Sequence, residues 1–407
     1  MAGRVLSLDD HLFDTHLPPQ IPIPASFNLH TTNCRTVQSH HPNLQVQSIP
    51  AAAMVAIANT QRAIKIQAPG LVALQPHTPI PIPRPDEALV RITCVALNPV
   101  DAKSADLSPT PGATSGCDFS GTVVSVGEAV KQALSPGDRV CGCVFGNNPD
   151  EPHNGAFAEY VVVPGDLLLK VPEGMSMQSA ATLGVGVATA GMALYQTLKL
   201  PLPGTSKPAS DQHVLVYGGG TATGSLAIQL IKLSGMIPIA ACSPRSAALA
   251  RSLGAAATFD YRSPTCGADI RAYTSDTLAY ALDCIADTGS MTICYAALSK
   301  QRGGAYVALD PFPVRAHTRR SVVPKWIVAF TIFDKPVNWQ RPFQREARPR
   351  DREFAEGWFR IAQGLLYEGA VRPHPQEERN GGLEGVVEGL DSVRKGLVSG
   401  VKLVYTI

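Results

Sequence analysis

The chain has 407 residues, 45% of them hydrophobic, which is enough for two packed cores and too much for one ordinary core. Charged residues make up 17% and the formal net charge is +2, so nothing global points to nucleic acid or to a membrane surface. No apolar run approaches the roughly 20 residues that span a bilayer. The cysteines number nine, and several, such as Cys94 and Cys284, lie inside apolar runs where a thiol behaves as a small hydrophobe. A disulfide framework is therefore not expected, and a reducing, cytoplasmic setting is. The early Asp9, Asp10 and Asp14 do not fit a secretory leader.

Residues 1–60 are rich in Pro, His, Gln, Ser and Thr without a sustained period. They read either as a poorly ordered extension or as an artefact of the assigned gene start, with Met54 as an alternative first residue. From Arg62 the pattern turns to short strands separated by Gly and Pro: Ala63–Ile66, Ala88–Leu97, Gly121–Gly127, Asp138–Gly142 and Gly155–Val163. This is a small β-rich domain. After Ala188 short apolar runs appear at Val214–Tyr217, Pro238–Cys242, Ala257–Tyr261, Tyr280–Ile285 and Ala305–Asp310, with helix-like stretches between them. They recur roughly every 20 residues, the signature of a parallel sheet covered on both faces. An Arg-rich stretch, a helix around Phe354–Glu368 and a strand-like Lys402–Ile407 close the chain. The order predicts an α/β protein in which a doubly wound parallel-sheet (Rossmann) domain, 191–339, is inserted into a β-rich domain made of 61–190 and 340–407.

The sharpest local signal is Val214–Tyr217 followed by Gly218-Gly219-Gly220-Thr221-Ala222-Thr223-Gly224 and a helical run from Ser225. Strand, glycine turn and helix N-terminus together offer main-chain N–H groups to a pyrophosphate. The spacing departs from G-x-G-x-x-G, so the context carries the motif. A site for NAD usually has an acidic residue about 20 positions further on. Here that strand ends Cys242-Ser243-Pro244-Arg245-Ser246, with hydroxyls and a cation suited to a 2′-phosphate, which predicts NADPH over NADH. The lesser alternative for Arg245 is a solvated residue at a helix start. Tyr261, ending the third strand, either packs on the adenine or fills the core.

The motifs AxNPVDAK at 96–103, SGCDFSGTV at 115–123, LGVGVATAGMAL at 183–194, LVYGGGTATG at 215–224 and VRKGLVSGVKLV at 393–404 resemble the medium-chain dehydrogenase/reductase superfamily in its zinc-independent, quinone-oxidoreductase-like branch. Within it the chain is most similar to the fungal trans-acting enoyl reductases of polyketide synthases, such as the lovastatin-pathway reductase. The resemblance implies that the β-rich domain is GroES-like and holds the catalytic site. Cys117-Asp118 stands where zinc members carry His-Glu, Asn98-Pro99 where a ligand Cys would fall, and Cys141 and Cys143 form a lone C-x-C, so no metal is expected.

What the resemblance implies for residues is specific. Val100, Asp101, Ala102 and Lys103 would touch the cofactor, with Lys103 catalytic, orienting it or assisting protonation, or else merely structural. Gly220, Thr221, Ala222, Thr223, Ser243, Pro244, Arg245, Ser246, Tyr261, Leu309, Asp310, Ser399 and Gly400 would surround NADPH. Gly220 departs from the family, which has a hydroxyl residue there. Leu183, Gly184, Val185, Gly186, Val187, Ala188, Thr189 and Ala190, with Phe330, Thr331, Ile332, Phe333 and Asp334, would form the acyl slot; close helix packing is the alternative for the first run. The expected reaction is hydride transfer from NADPH to an α,β-unsaturated polyketide thioester, and the expected partner is a polyketide synthase with its acyl carrier domain. The protein would act as a monomer or homodimer. Arg341, Arg345, Arg348, Arg350 and Arg352 are either a solvated loop or a docking patch for that carrier. A stand-alone quinone or alkenal reductase and a non-enzymatic NADPH-binding protein are the rival readings.

Overall fold

The computed structural model describes residues 59–204 and 211–407. The N-terminal segment set apart above, up to residue 58 and including Met54, lies outside the described residues. Thr60–Ala68 (β1) and Leu71–Pro79 (β2) form an antiparallel hairpin that turns at Gly70, whose φ of +72° favours glycine. The chain continues through Glu87–Ala96 (β3), the helix Pro99–Leu107 (α1), and Asp118–Val126 (β4), Arg139–Cys143 (β5), Tyr160–Pro164 (β6) and Leu169–Lys170 (β7). Met177–Ala181 (α2) and Gly184–Gly191 (α3) follow, and α3 runs on into a π-helical stretch, Met192–Thr197.

The next elements alternate as far as β12: His213–Tyr217 (β8), Ala222–Leu233 (α4), Ile237–Cys242 (β9), Pro244–Ser252 (α5), Ala257–Asp260 (β10), Cys266–Tyr273 (α6), Tyr280–Asp283 (β11), Thr288–Ala297 (α7) and Gly304–Ala308 (β12), and Val322–Trp326 (β13) follows without an intervening α-helix. All six strands are parallel, in the order β10-β9-β8-β11-β12-β13. Side chains of β8 alternate between two cores: Val214 and Val216 face one, Leu215 and Tyr217 the other. Burial on both faces is the reason this strand reads as a continuous apolar run.

Two of the differences from the sequence reading have a clear local cause. The strand expected to reach Ile285 stops at Asp283, because that carboxylate accepts the amides of Ile285 and Ala286 at 2.9 Å each and bends the chain away. The edge strand β13 was not anticipated: its Val-Val-Pro-Lys-Trp run lacks an apolar alternation, and only an edge position tolerates its proline.

Pro349–Tyr367 (α8) starts five residues earlier than expected, with proline in its first turn where a missing N–H costs nothing. Gln376–Arg379 (β14), Gly382–Arg394 (α9) and Lys402–Thr406 (β15) end the chain. β15 pairs antiparallel with β3, and the larger sheet runs β14-β15-β3-β4-β5-β7 with β6 also on β3. The last strand thus completes the first sheet, and the parallel sheet is an insertion in a β-rich unit, as the sequence order implied.

Candidate active site

In the parallel sheet, strands run outward from β8 in one direction and from β11 in the other. The crevice beyond the carboxyl ends of such a pair is where ligands of this architecture sit. A cleft of about 390 Å³ opens there. Thr221, Ala222 and Thr223 follow β8, Cys284 and Ile285 follow β11, and Leu309 and Asp310 follow β12 on its rim. The opposite wall comes from the β-rich part, through Asn98, Val100 and Lys103 at α1 and Val185 and Thr189 on α3.

The glycine turn leads into the wall of the cleft that follows β8. Gly218 adopts φ +84°, a conformation side chains rarely take, and a Cβ on Gly224 would meet the Gly218 carbonyl oxygen at 2.3 Å. Thr221 caps α4, its hydroxyl accepting the Gly224 amide at 3.0 Å. The amides of Ala222 and Thr223, in the first turn, have no carbonyl one turn back and lie at the cleft. Further along the sheet edge, Ser243 and Ser246 bring their hydroxyls within 3.3 Å of each other at the start of α5. A side chain at Gly220 would collide with Ser246 Oγ at 2.3 Å, so Ser246 fills the space left by the missing side chain. Pro244 and Arg245 are exposed, and Tyr261, 40% exposed, sits 6.0 Å from the Tyr217 ring.

Lys103 spans the cleft. From α1 its Nζ donates to Asp310 Oδ2 at 2.6 Å, with the two side chains 51% and 35% exposed. The neighbouring positions do other work. Asp101 is buried and its Oδ2 accepts the Asn98 amide at 2.7 Å, capping α1; burial pushes this carboxyl up to about 7, against that amide. Ala102 is buried as well. Ser399 and Gly400 lie on the exposed loop before β15, outside the cleft lining.

Of the α3 run, Val185 and Thr189 face the cleft, while Leu183, Val187, Ala188 and Ala190 are buried. The glycines permit close packing: a Cβ at Gly184 would meet the Gly142 carbonyl oxygen at 2.2 Å, and one at Gly186 would meet Leu226 Cδ1 at 2.6 Å. In the second segment only Phe330 lines the cleft. Thr331 donates its hydroxyl to Asp351 Oδ2 at 2.6 Å, Ile332 and Phe333 are buried, and Asp334 takes a left-handed conformation, φ +53°. What the sequence reading missed is an aromatic wall around Phe330. Trp326, Trp339 and Phe343 line the cleft with it, and Phe145 stacks behind at 4.8 Å from the Phe330 ring. Trp339 is fixed by donating Nε1 to the Asn147 carbonyl at 2.7 Å. The signal available was the Trp and Phe spacing within 326–343, but nothing local tells such residues from core.

Beneath the cleft lies a buried network that the sequence also concealed. Asp118 accepts the Val185 amide at 2.6 Å, Asn98 Nδ2 at 3.0 Å and the Lys402 ammonium, with both partners of that ion pair out of solvent. It ties β4, β15 and α3 to the residue before α1. Cys284, on the cleft wall, has its thiol pushed up to about 12 by burial and so stays protonated. Among the described residues no three His, Cys, Asp or Glu side chains assemble as a metal site.

A doubly wound sheet inserted into a GroES-like β unit, with a glycine turn at its switch point, defines an oxidoreductase of the medium-chain dehydrogenase/reductase type. Residues 84–173 match the alcohol dehydrogenase GroES-like domain. The chain is 53% identical over 358 residues to the trans-enoyl reductase iccB of Talaromyces variabilis, covering 85% of this chain and 95% of the relative. It is 52% identical to the trans-enoyl reductase opdC of Penicillium oxalicum, covering 86% and 97%. Among solved structures it is similar to the quinone oxidoreductase of Coxiella burnetii, with a TM-score of 0.62 at 21% identity, over 85% of this chain and 99% of that one. The chain belongs to the trans-enoyl reductase family of enzymes.

Proposed function

We propose that this chain reduces the α,β-double bond of a polyketide thioester held by a partner polyketide synthase on its acyl carrier domain, with NADPH as reductant, in secondary-metabolite biosynthesis. The observation that carries this reading is one cleft in which the first turn of α4, after the glycine turn, faces an apolar aromatic wall. When bound, the reduced nicotinamide supplies hydride to the β-carbon, and a proton completes the α-carbon.

The chain's own residues supply placement and surroundings. The free amides of Ala222 and Thr223 suit the diphosphate, and the α4 dipole favours its charge. Ser243, Ser246 and the exposed Arg245, which has no ion pair among the described residues, suit a 2′-phosphate, with Ser246 standing in for the hydroxyl that position 220 lacks. The exposed face of Tyr261 suits the adenine. Lys103, held by Asp310 across the cleft, is the side chain that would orient the cofactor or pass the proton. Trp326, Phe330, Trp339 and Phe343 seat the acyl chain and exclude water. On this reading 191–339 binds the cofactor, and 61–190 with 340–407 binds the substrate. Unpaired cysteines, eight among the described residues, suit a reducing, cytoplasmic compartment, and no described helix is long and apolar enough to cross a membrane.

The test is NADPH oxidation with crotonyl and longer enoyl thioesters. Turnover is expected with thioesters, with NADPH preferred to NADH, and Arg245→Ala should raise the KM for NADPH about tenfold while sparing NADH. Lys103→Ala should lower kcat/KM by more than about tenfold. Turnover of quinones with none of any enoyl thioester would overturn the reading.

A further inference from the structure

A second cavity, of about 580 Å³, adjoins the cleft. The two share Trp326, Ile327 and Val328, so they meet along the end of β13. Three cations line the second cavity: Lys325, Arg345 and Arg348. None of them is in an ion pair among the described residues. Arg345 donates Nη1 to the carbonyls of Pro342 and Gln344 at 2.7 Å each and lies 3.9 Å above the centre of the Trp326 ring. Burial, and then the repulsion of Arg348, lowers its guanidinium below the ordinary value, a sign of positive charge without compensation. The only carboxylate on the lining is Asp351, and both its oxygens are engaged, by Gln196 Nε2 at 2.7 Å and Thr331 Oγ1 at 2.6 Å.

The contrast with the other arginines of this stretch is sharp. Arg352 is paired with Glu356 at 2.9 Å and reaches Asp86 at 3.7 Å, while Arg341 and Arg350 lie outside the cavity lining. Two of the five arginines, joined by a lysine from β13, therefore make one cationic hollow beside the mouth of an apolar cleft. We propose that this hollow binds the phosphate ester of the phosphopantetheine arm on which a carrier domain presents its acyl thioester to the cleft. The proposal rests on the enoyl reductase reading above. An acyl-carrying arm is uncharged along its two amides and anionic only at its far end. The apolar cleft suits the acyl group and thioester, and the anion needs donors further out, where charge-assisted hydrogen bonds from guanidinium and ammonium groups are strongest. The Trp326 ring, with Arg345 on it, offers the stem a flat apolar wall between the two sites.

The experiment measures kcat/KM for one enoyl group carried on pantetheine, on 4′-phosphopantetheine, on coenzyme A and on a carrier domain. Adding the phosphate to pantetheine is expected to raise kcat/KM at least about tenfold. The pair Lys325→Glu with Arg348→Glu is expected to abolish that gain and to weaken the carrier-bound substrate, while the pantetheine thioester stays within about twofold. These two positions are chosen because neither lines the cleft, whereas Arg345 stacks on Trp326. The neutral pair Lys325→Gln with Arg348→Gln should move the same way by a smaller factor, and thermal melts establish that both variants are folded. Equal kcat/KM on pantetheine and phosphopantetheine in the unmodified enzyme, or equal losses on both in the variants, would overturn the proposal. So would a gain confined to coenzyme A, which would assign the hollow to the nucleotide. If no thioester is reduced, the enoyl reductase reading fails by itself. Calorimetry with free 4′-phosphopantetheine then decides the hollow: binding lost in the charge-reversed pair supports it, and no binding to the unmodified protein refutes it.

Discussion

On the function proposed above, the nucleotide half of the cleft is written in one contiguous stretch, Gly218 to Gly224, with the ends of β11 and β12 beside it. The acyl half of that proposal is assembled from Phe145, Trp326, Phe330, Trp339 and Phe343, which lie on separate segments and meet only across the fold. The difference follows from what each half uses. A phosphate cradle is made of backbone amides, whose directions are set by local φ and ψ, so its residues must be consecutive. An apolar wall is made of side-chain faces, which can come from anywhere that packing brings them. Local recognition is therefore carried by a turn, and enclosure by tertiary contact.

That contrast can be broken or sharpened by substitution. The largest effect is expected beneath the acyl half, where Lys402→Met would strand the buried Asp118 charge that holds the Val185 amide and Asn98. Urea denaturation should show a loss of about 3–5 kcal/mol; a loss below about 1 kcal/mol would mean that the network does not organise this side. Next comes a pair of changes read against each other. Gly224→Ala places a Cβ at 2.3 Å from the Gly218 carbonyl oxygen and should raise the Kd for NADPH by more than about tenfold. Phe343→Ala, at the rim of the aromatic wall, should instead raise the KM for long enoyl thioesters about tenfold and leave NADPH binding alone. If both changes shift both constants alike, the two halves are not separable.

The smallest effect concerns a joint that links the two parts of the chain. His374, before β14, shares a 2.9 Å hydrogen bond with Ser225 on α4. Burial, and then the nearby Lys402 charge, pushes its imidazole down to about 4 from an ordinary 6.5. The unfolded chain therefore takes up a proton below pH 6.5 that the folded protein refuses until about pH 4. Its contribution is complete above the higher value and is lost as pH falls toward the lower, on the order of 1 kcal/mol between pH 8 and pH 6. Denaturation midpoints across this range should lose that slope in His374→Gln.

The parallel strands were legible because burial on both faces demands uninterrupted apolar runs, and the insertion was legible because a lone terminal strand needs a sheet to join. β13 was hidden by its proline and lysine, which an edge position permits. At the α3 run, smallness signalled two things at once, room for a ligand and room for a helix. The structure divides them residue by residue, giving Val185 and Thr189 to the cleft and Gly184 and Gly186 to packing.

The sequence by itself determined the α/β class, the interrupted β-rich unit and the place of the glycine turn, because each rests on periodicity or on backbone conformation between near neighbours. Tertiary structure alone decided that Lys103 meets Asp310, that Lys402 neutralises Asp118, and that aromatic rings from separate loops share one wall. Those are contacts between side chains far apart in the chain. Their partners are chosen by how the sheets close on one another, and no local pattern records that choice.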